Sequence, residues 1–187
     1  AEFIAAFAGS HRHILDYLSE EVYRSQPPEV RRFLLRTSVL ERFAAPLCAA
    51  IMAPEPPGAA GIDTQEAQRM LEQLEHANLF VVPLDDDRRW YRYHHLFADL
   101  LRLRLAQEEP GVAPLLHLRA SAWFEQQQFI HDAIGHALAA QEYDRAAHLM
   151  ERAAEVTMMS SEVATLRTWL EALPPATLRS PPLLCVY

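Results

Sequence analysis

His94 and His95 are the side chains best placed to do chemistry. They are adjacent imidazoles at the point where the aromatic run Trp90-Tyr91-Arg92-Tyr93 gives way to a helical pattern starting at Leu96. An imidazole changes charge near neutral pH and can donate or accept a hydrogen bond. The first turn of a helix adds free backbone N–H groups and the positive end of the helix dipole. Together these suit a phosphate, and the position singles out His94 as its contact, with His95 as the alternative. The competing reading is two ordinary histidines, one buried and hydrogen-bonded and one exposed.

No other grouping assembles a centre. His11 and His13 lie two apart, and His131 and His136 five apart, so neither pair shares a helical face as metal ligands at i and i+4 would. Ser160-Ser161 has no base in its vicinity and reads as a helix cap, and Glu20-Glu21 reads as a solvated face. All seventeen basic residues are arginine. Without lysine there is no phosphate-loop lysine, no Schiff-base lysine and no Ser–Lys nucleophile pair. No nucleophile–base pair is apparent, so no catalytic residue, metal ligand or resident cofactor is expected in this chain.

The elements that must carry His94 can be read from pattern. The chain has 187 residues, half of them hydrophobic, with only five glycines and a net charge of −8. That length allows one large domain or two small ones, and the composition is globular and helix-leaning. Ile14, Leu18 and Val22 recur at helical spacing over residues 11–24, behind a possible Ser10 cap, and Pro27-Pro28 ends that segment. A second helix starts at Pro28, with Val30, Phe33, Leu34 and Thr37 as its buried stripe. A third follows Pro46 through Leu47 and Ile51. Residues 54–61, rich in Pro and Gly, form a loop.

The helix over residues 64–77 is announced by Asp63 with Glu66 three residues on, a capping box, and by the apolar face Ala67, Met70, Leu71 and Leu74. Residues 79–84 and 89–93, separated by Asp85-Asp86-Asp87-Arg88, read as a β-hairpin with a polar tip, and Pro83 suits only an edge strand. A helix over residues 96–107 is apolar over a wide arc, with Leu96, Leu100 and Leu103 on one line and Phe97, Leu101 and Leu105 nearby. It is expected to be well buried. After Glu109-Pro110-Gly111 come short helices in pairs, marked by Leu116, Ala120, Trp123 and Phe124, by Ile130 to Leu138, and by residues 143–154 and 163–173. Residues 132–138 partly echo residues 144–150, a hint of helical repeats.

The expected fold is therefore mainly α: a winged-helix domain with a small β-hairpin, followed by tetratricopeptide-like antiparallel helix pairs. The expected divisions are residues 1–26, 27–109 and 110–187. Both ends read as cut from something longer. A winged helix often binds DNA through its third helix, but here that helix carries Glu66, Glu72 and Glu75 against Arg69, which phosphates would repel. The run 88–95 could stack bases, yet Asp85 to Asp87 offset its charge, and packing is the simpler role for its aromatic rings. No direct nucleic-acid contact is expected. Cys48 and Cys185 are too few and too far apart for a disulfide framework and read as buried free thiols. Residues 1–10 lack the basic start and cleavage pattern of a signal peptide, and no apolar run approaches the ~20 residues that span a bilayer. A cytoplasmic protein without membrane contact is the expectation.

Several segments, in order, resemble one family. Residues 13–22, His-Ile-Leu-Asp-Tyr-Leu-Ser-Glu-Glu-Val, look like the end of the helical subdomain of MalT-like regulators. These are large ATP-binding members of the LuxR-type transcriptional activators, within the signal-transduction ATPases with numerous domains (STAND). Phe33-Leu34-Leu35-Arg36-Thr37-Ser38-Val39-Leu40 resembles the first element of that family's winged helix. Residues 79–86 and Trp90-Tyr91-Arg92-Tyr93-His94-His95-Leu96-Phe97 resemble its wing and the helix after it. Residues 133–140 resemble the start of its helical arm.

The resemblance implies a parent protein with an ATPase domain before this region, and a sensor arm and a DNA-binding helix-turn-helix after it. That parent would be a slow ATPase switch, held closed by ADP and released by an inducer and ATP to self-associate and activate transcription. It also implies that His94 touches the nucleotide phosphates, and that this chain's partners are the nucleotide-binding and sensor domains of the same polypeptide. The chain would then be a connector coupling nucleotide state to inducer sensing. The alternative is a protein–protein interaction scaffold attached to a kinase or cyclase.

Overall fold

A computed structural model describes residues 18–54, 61–159 and 163–174. The expected helix over residues 11–24 lies mostly outside these, as do His11, His13, Cys185, the Ser160-Ser161 cap and most of the loop after Pro54. Of that first helix the described part, Leu18–Tyr23, is a single π-helical turn. The chain divides into two compact units with the boundary between Ala113 and Pro114.

The first unit starts with α1 (Pro28–Thr37), which has proline at the head of its first turn, where the missing N–H costs nothing. Phe33, Leu34, Leu35 and Thr37 are buried, while Val30 is only half-buried. α2 (Ala45–Ile51) also has proline near its start and buries Leu47, Cys48 and Ile51. α3 (Thr64–His76) opens with the expected capping box. The Asp63 carboxylate accepts the Glu66 N–H at 2.8 Å, and the Glu66 carboxylate accepts the Asp63 N–H at 3.1 Å. Each satisfies a donor that the first turn leaves without an intrahelical partner.

β1 (Val81–Pro83) and β2 (Tyr91–Tyr93) pair antiparallel, with Val81 opposite Tyr93 and Pro83 opposite Tyr91. On its other side β2 is bridged by Phe43, which exchanges two 2.8 Å backbone hydrogen bonds with Tyr91. Two three-residue strands have little stability of their own, so the ribbon depends on its inward rings. Tyr91 and Tyr93 are buried, Phe43 lies 4.6 Å from Tyr93 between ring centroids, and Tyr93 meets Phe97 edge-on at 6.0 Å.

α4 (His95–Glu108) packs against α1. Phe97, Leu100, Leu101 and Leu105 enter the core. Wide burial of this helix is corrected in one respect: Leu103 is 58% exposed. Leu103 continues the line of Leu100, but it lies beyond the margin of the buried arc formed by Phe97, Leu101 and Leu105, and in this unit that side of α4 is not covered.

Polar contacts then tie α4 to its neighbours. The Arg36 guanidinium grips the Glu109 carboxylate through Nε and Nη2, at 3.0 and 2.6 Å to Oε2. Tyr23 donates to Glu108 at 2.8 Å, and burial pushes its hydroxyl pKa strongly upward. Thr37 donates its hydroxyl hydrogen to the Phe33 carbonyl at 2.7 Å. The buried Tyr93 hydroxyl, 2.7 Å away, must therefore be the donor toward Thr37.

In the second unit α5 (Ala113–Gln126) begins at the boundary, followed by α6 (Ile130–Ala139), α7 (Tyr143–Met159) and α8 (Val163–Glu171). α6 packs on α7 and α7 on α8. Ala120, Ala133, Ala137, Ala146 and Ala147 are all buried, and these small side chains let the helices approach closely around Leu116, Phe124, Ile134 and Met150. Glu125 receives both Arg145 and Arg152, and Arg145 also reaches Ser121 at 3.0 Å. Burial alone would raise the Glu125 pKa, but the two guanidinium groups hold it below the usual carboxylate range.

α3, α5 and α6 end alike. Asn78, Gln128 and Gln141 adopt left-handed backbone (φ 51°, 64° and 61°). The next N–H in each case reaches back to the carbonyl five residues earlier, Leu79 to Leu74, Phe129 to Phe124 and Glu142 to Ala137.

Candidate functional site

His94 is the cap residue of α4. Its backbone is extended (φ −59°, ψ 135°) and its carbonyl accepts the first helical hydrogen bonds, from Phe97 and Ala98. Its own N–H donates to the Phe80 carbonyl at 2.8 Å, extending the ribbon pairing by one residue. Strand alternation buries Tyr91 and Tyr93 and turns Arg92 and His94 outward. The competing reading of one buried and one exposed histidine does not hold: both are exposed. Their rings lie 4.3 Å apart between centroids, and neither imidazole makes a side-chain hydrogen bond among the described residues.

His94 and His95 line a cleft of about 280 Å³ together with Val82, Glu41, Arg92 and Arg102. Arg102 is held in place by donating to the Ser38 carbonyl at 3.0 Å and by Asp99 at 3.2 Å. Arg92 has no ion pair or hydrogen bond among the described residues. The cleft thus gathers two guanidinium groups, two imidazoles and the head of a fourteen-residue helix against one lining carboxylate, Glu41. That donor set fits an anion of phosphate size and charge.

The rest of the wing is poorly suited to nucleic acid. α3 exposes Glu66 and Glu72, and Glu75 is paired with Arg88 at 2.9 Å. Arg89 pairs with Asp87, Arg42 lies over the Trp90 ring at 4.9 Å, and the Asp85 carboxylate closes the turn on the N–H groups of Arg89 and Trp90. Among the described residues no group of three or more His, Cys, Asp or Glu side chains could hold a metal ion, and no helix is long and apolar enough to cross a membrane. Cys48 is a buried free thiol whose pKa burial pushes up.

One pairing was not visible in sequence. His117 on α5 and His136 on α6 bring their Nδ1 atoms to 2.8 Å, and the His136 ring stacks on Phe124 at 5.3 Å. Comparing histidines within one helix could not find a pair nineteen residues apart on two helices. Burial first, and then the charge of His117, push the His136 pKa down to about 4.

Three helices, a short ribbon folded back on them and a further helix leading away define a winged helix. The sequence profile of the MalT winged helix domain matches residues 19–113, about half of the chain, and the chain belongs to that family. It is 37% identical over 173 residues to the serine/threonine-protein kinase PknK of Mycobacterium tuberculosis H37Rv, covering 92% of this chain and 15% of that protein. It is 32% identical over 181 residues to the HTH-type transcriptional regulator MalT of Vibrio cholerae, covering 95% of this chain and 18% of the regulator. The MalT regulator of Vibrio campbellii is 30% identical over 164 residues, with 88% and 17% covered. The chain therefore spans less than a fifth of the length of the curated relatives it matches.

Proposed function

We propose that this chain is the connector of a larger ATP-dependent transcriptional activator, coupling the nucleotide held by a neighbouring ATPase domain to inducer sensing. The observation that carries the reading is the cleft at the head of α4, where His94 stands exposed among Arg92, His95 and Arg102, its side chain without a hydrogen-bond partner among the described residues. ADP or ATP bound to the parent would supply phosphate charge. His94 would donate a hydrogen bond to it, and the two arginines would offset the charge. Bound ADP then favours the arrangement in which the winged helix closes on the ATPase domain.

An inducer opens that arrangement only as far as it binds the open state better. Each tenfold preference is worth about 1.4 kcal/mol. The chain itself performs no catalysis in this reading, contacts no nucleic acid and no membrane, and works in the cytoplasm. The helices after Ala113 start the sensor arm, built of tetratricopeptide-like pairs, and the released parent self-associates. The test is His94→Ala in the full-length parent. ADP retention should fall and inducer dependence should weaken. Unchanged values for both would remove the phosphate role.

The 37% identity to a serine/threonine-protein kinase over nearly the whole chain favours a second reading. The same unit could serve as an interaction scaffold attached to a kinase. A helix-turn-helix encoded downstream in the parent gene supports the activator, and a kinase domain supports the scaffold.

A further inference from the structure

Five non-glycine residues among those described have left-handed backbone. Asn78, Gln128 and Gln141 close helices, and Arg88 sits in the wing turn, with its N–H on the Asp85 carbonyl at 3.2 Å. Phe80 (φ 57°) does neither. It lies between the end of α3 and β1, and a bulky aromatic residue there is strained, a conformation kept only where the surroundings impose it.

What the surroundings gain is at His94. The Phe80 carbonyl accepts the His94 N–H at 2.8 Å, which fixes the backbone at the head of α4. The Phe80 ring meets the His94 imidazole edge-to-face at 6.2 Å and 67°, and is itself braced by Phe97 at 5.6 Å. Among the described residues, the His94 side chain makes no hydrogen bond, and the rings against it are those of Phe80 and, at 4.3 Å, His95.

We infer that Phe80 is a positioning residue for His94, its strained backbone and its ring together aiming the imidazole into the cleft while leaving both ring nitrogens available to a ligand. The role in nucleotide binding rests on the phosphate reading above, whereas the orientation of the ring does not.

Two measurements on the full-length protein separate these. The first is the imidazole signals of His94, assigned by their loss in His94→Ala. Phe80→Leu should shift and broaden them, and Phe80→Tyr should restore them. Signals unmoved by Phe80→Leu overturn the inference. The second uses a fluorescent ADP analogue as probe. Phe80→Leu should weaken binding about tenfold, as loss of one charge-assisted hydrogen bond would. The double variant with His94→Ala should be no weaker than His94→Ala alone. Losses that multiply in the double variant mean that Phe80 acts elsewhere, and overturn the inference. If His94→Ala binds the probe normally while Phe80→Leu still moves the imidazole signals, the phosphate reading fails and the positioning role stands.

Discussion

Acid should loosen the helices after Ala113, and the His117–His136 pair supplies the reason. Their Nδ1 atoms are 2.8 Å apart, so one must donate and the other accept, and the pair holds one proton between those two nitrogens. Protonating His136 would place a charge in a buried site beside the Phe124 ring, and with His117 also protonated two N–H donors and two like charges would face each other; Asp132, one turn before His136, is the counter-charge that opposes the shift. The folded pKa of His136 lies near 4 and the unfolded value near 6.5. Because the folded value is the lower one, the unfolded chain takes up the proton first. The contribution is complete above about pH 6.5 and is lost as pH falls toward 4. Linkage then gives a loss of about 2 kcal/mol between pH 7 and pH 5, and about 3 kcal/mol once the pH is below the folded value. Amide exchange of the protected residues in α5 and α6, measured at both pH values, reads this directly. In His136→Gln the pH-dependent loss should shrink by most of that amount. An NMR titration placing His136 near 6.5 in the folded chain, or an unchanged pH dependence in the variant, would refute the reasoning.

Other outcomes are expected from the same structure. Thr37→Val leaves the buried Tyr93 hydroxyl without its acceptor and should cost about 1–3 kcal/mol in urea denaturation, more than the loss of one methyl-sized contact would. Asp63→Ala removes the reciprocal cap of α3 and should cost about 1 kcal/mol by the same assay. Glu109→Gln breaks the two-pronged Arg36 contact, whose side chains are 16% and 24% exposed, and should destabilise by about 1 kcal/mol, with little dependence on salt. The chain should show no salt-dependent rise in fluorescence anisotropy with a labelled DNA duplex, because the exposed face of α3 carries Glu66 and Glu72.

How much of this was legible in sequence follows from the range of each interaction. The cap of α3, the proline starts of α1 and α2, and the wing with its aspartate tip depend on residues within a few positions of one another, so pattern exposes them. The placement of His94 at the head of α4 follows from the same local reading. Contacts between distant elements leave no such trace. Arg36 and Glu109 are 73 residues apart, and His117 and His136 are nineteen apart on separate helices. Leu103 looks like a core residue because it falls on one line with Leu96 and Leu100 at helical spacing, but only the packing of α1 on α4 decides which line of that helix is covered. Phe80 is the clearest failure of local reading. Phenylalanine has no preference for left-handed backbone, so only the hydrogen bond to His94 and the rings around it reveal the constraint.

β2 is hydrogen-bonded on both sides, to β1 and to Phe43, which leaves the outer margin of β1 as the sheet's remaining free border. That border is three residues long and ends in Pro83, which has no N–H to offer. An extended segment from another polypeptide would find almost no ladder on which to add itself. Here, resistance to edge-to-edge aggregation is built into the backbone and needs no charged side chains to enforce it.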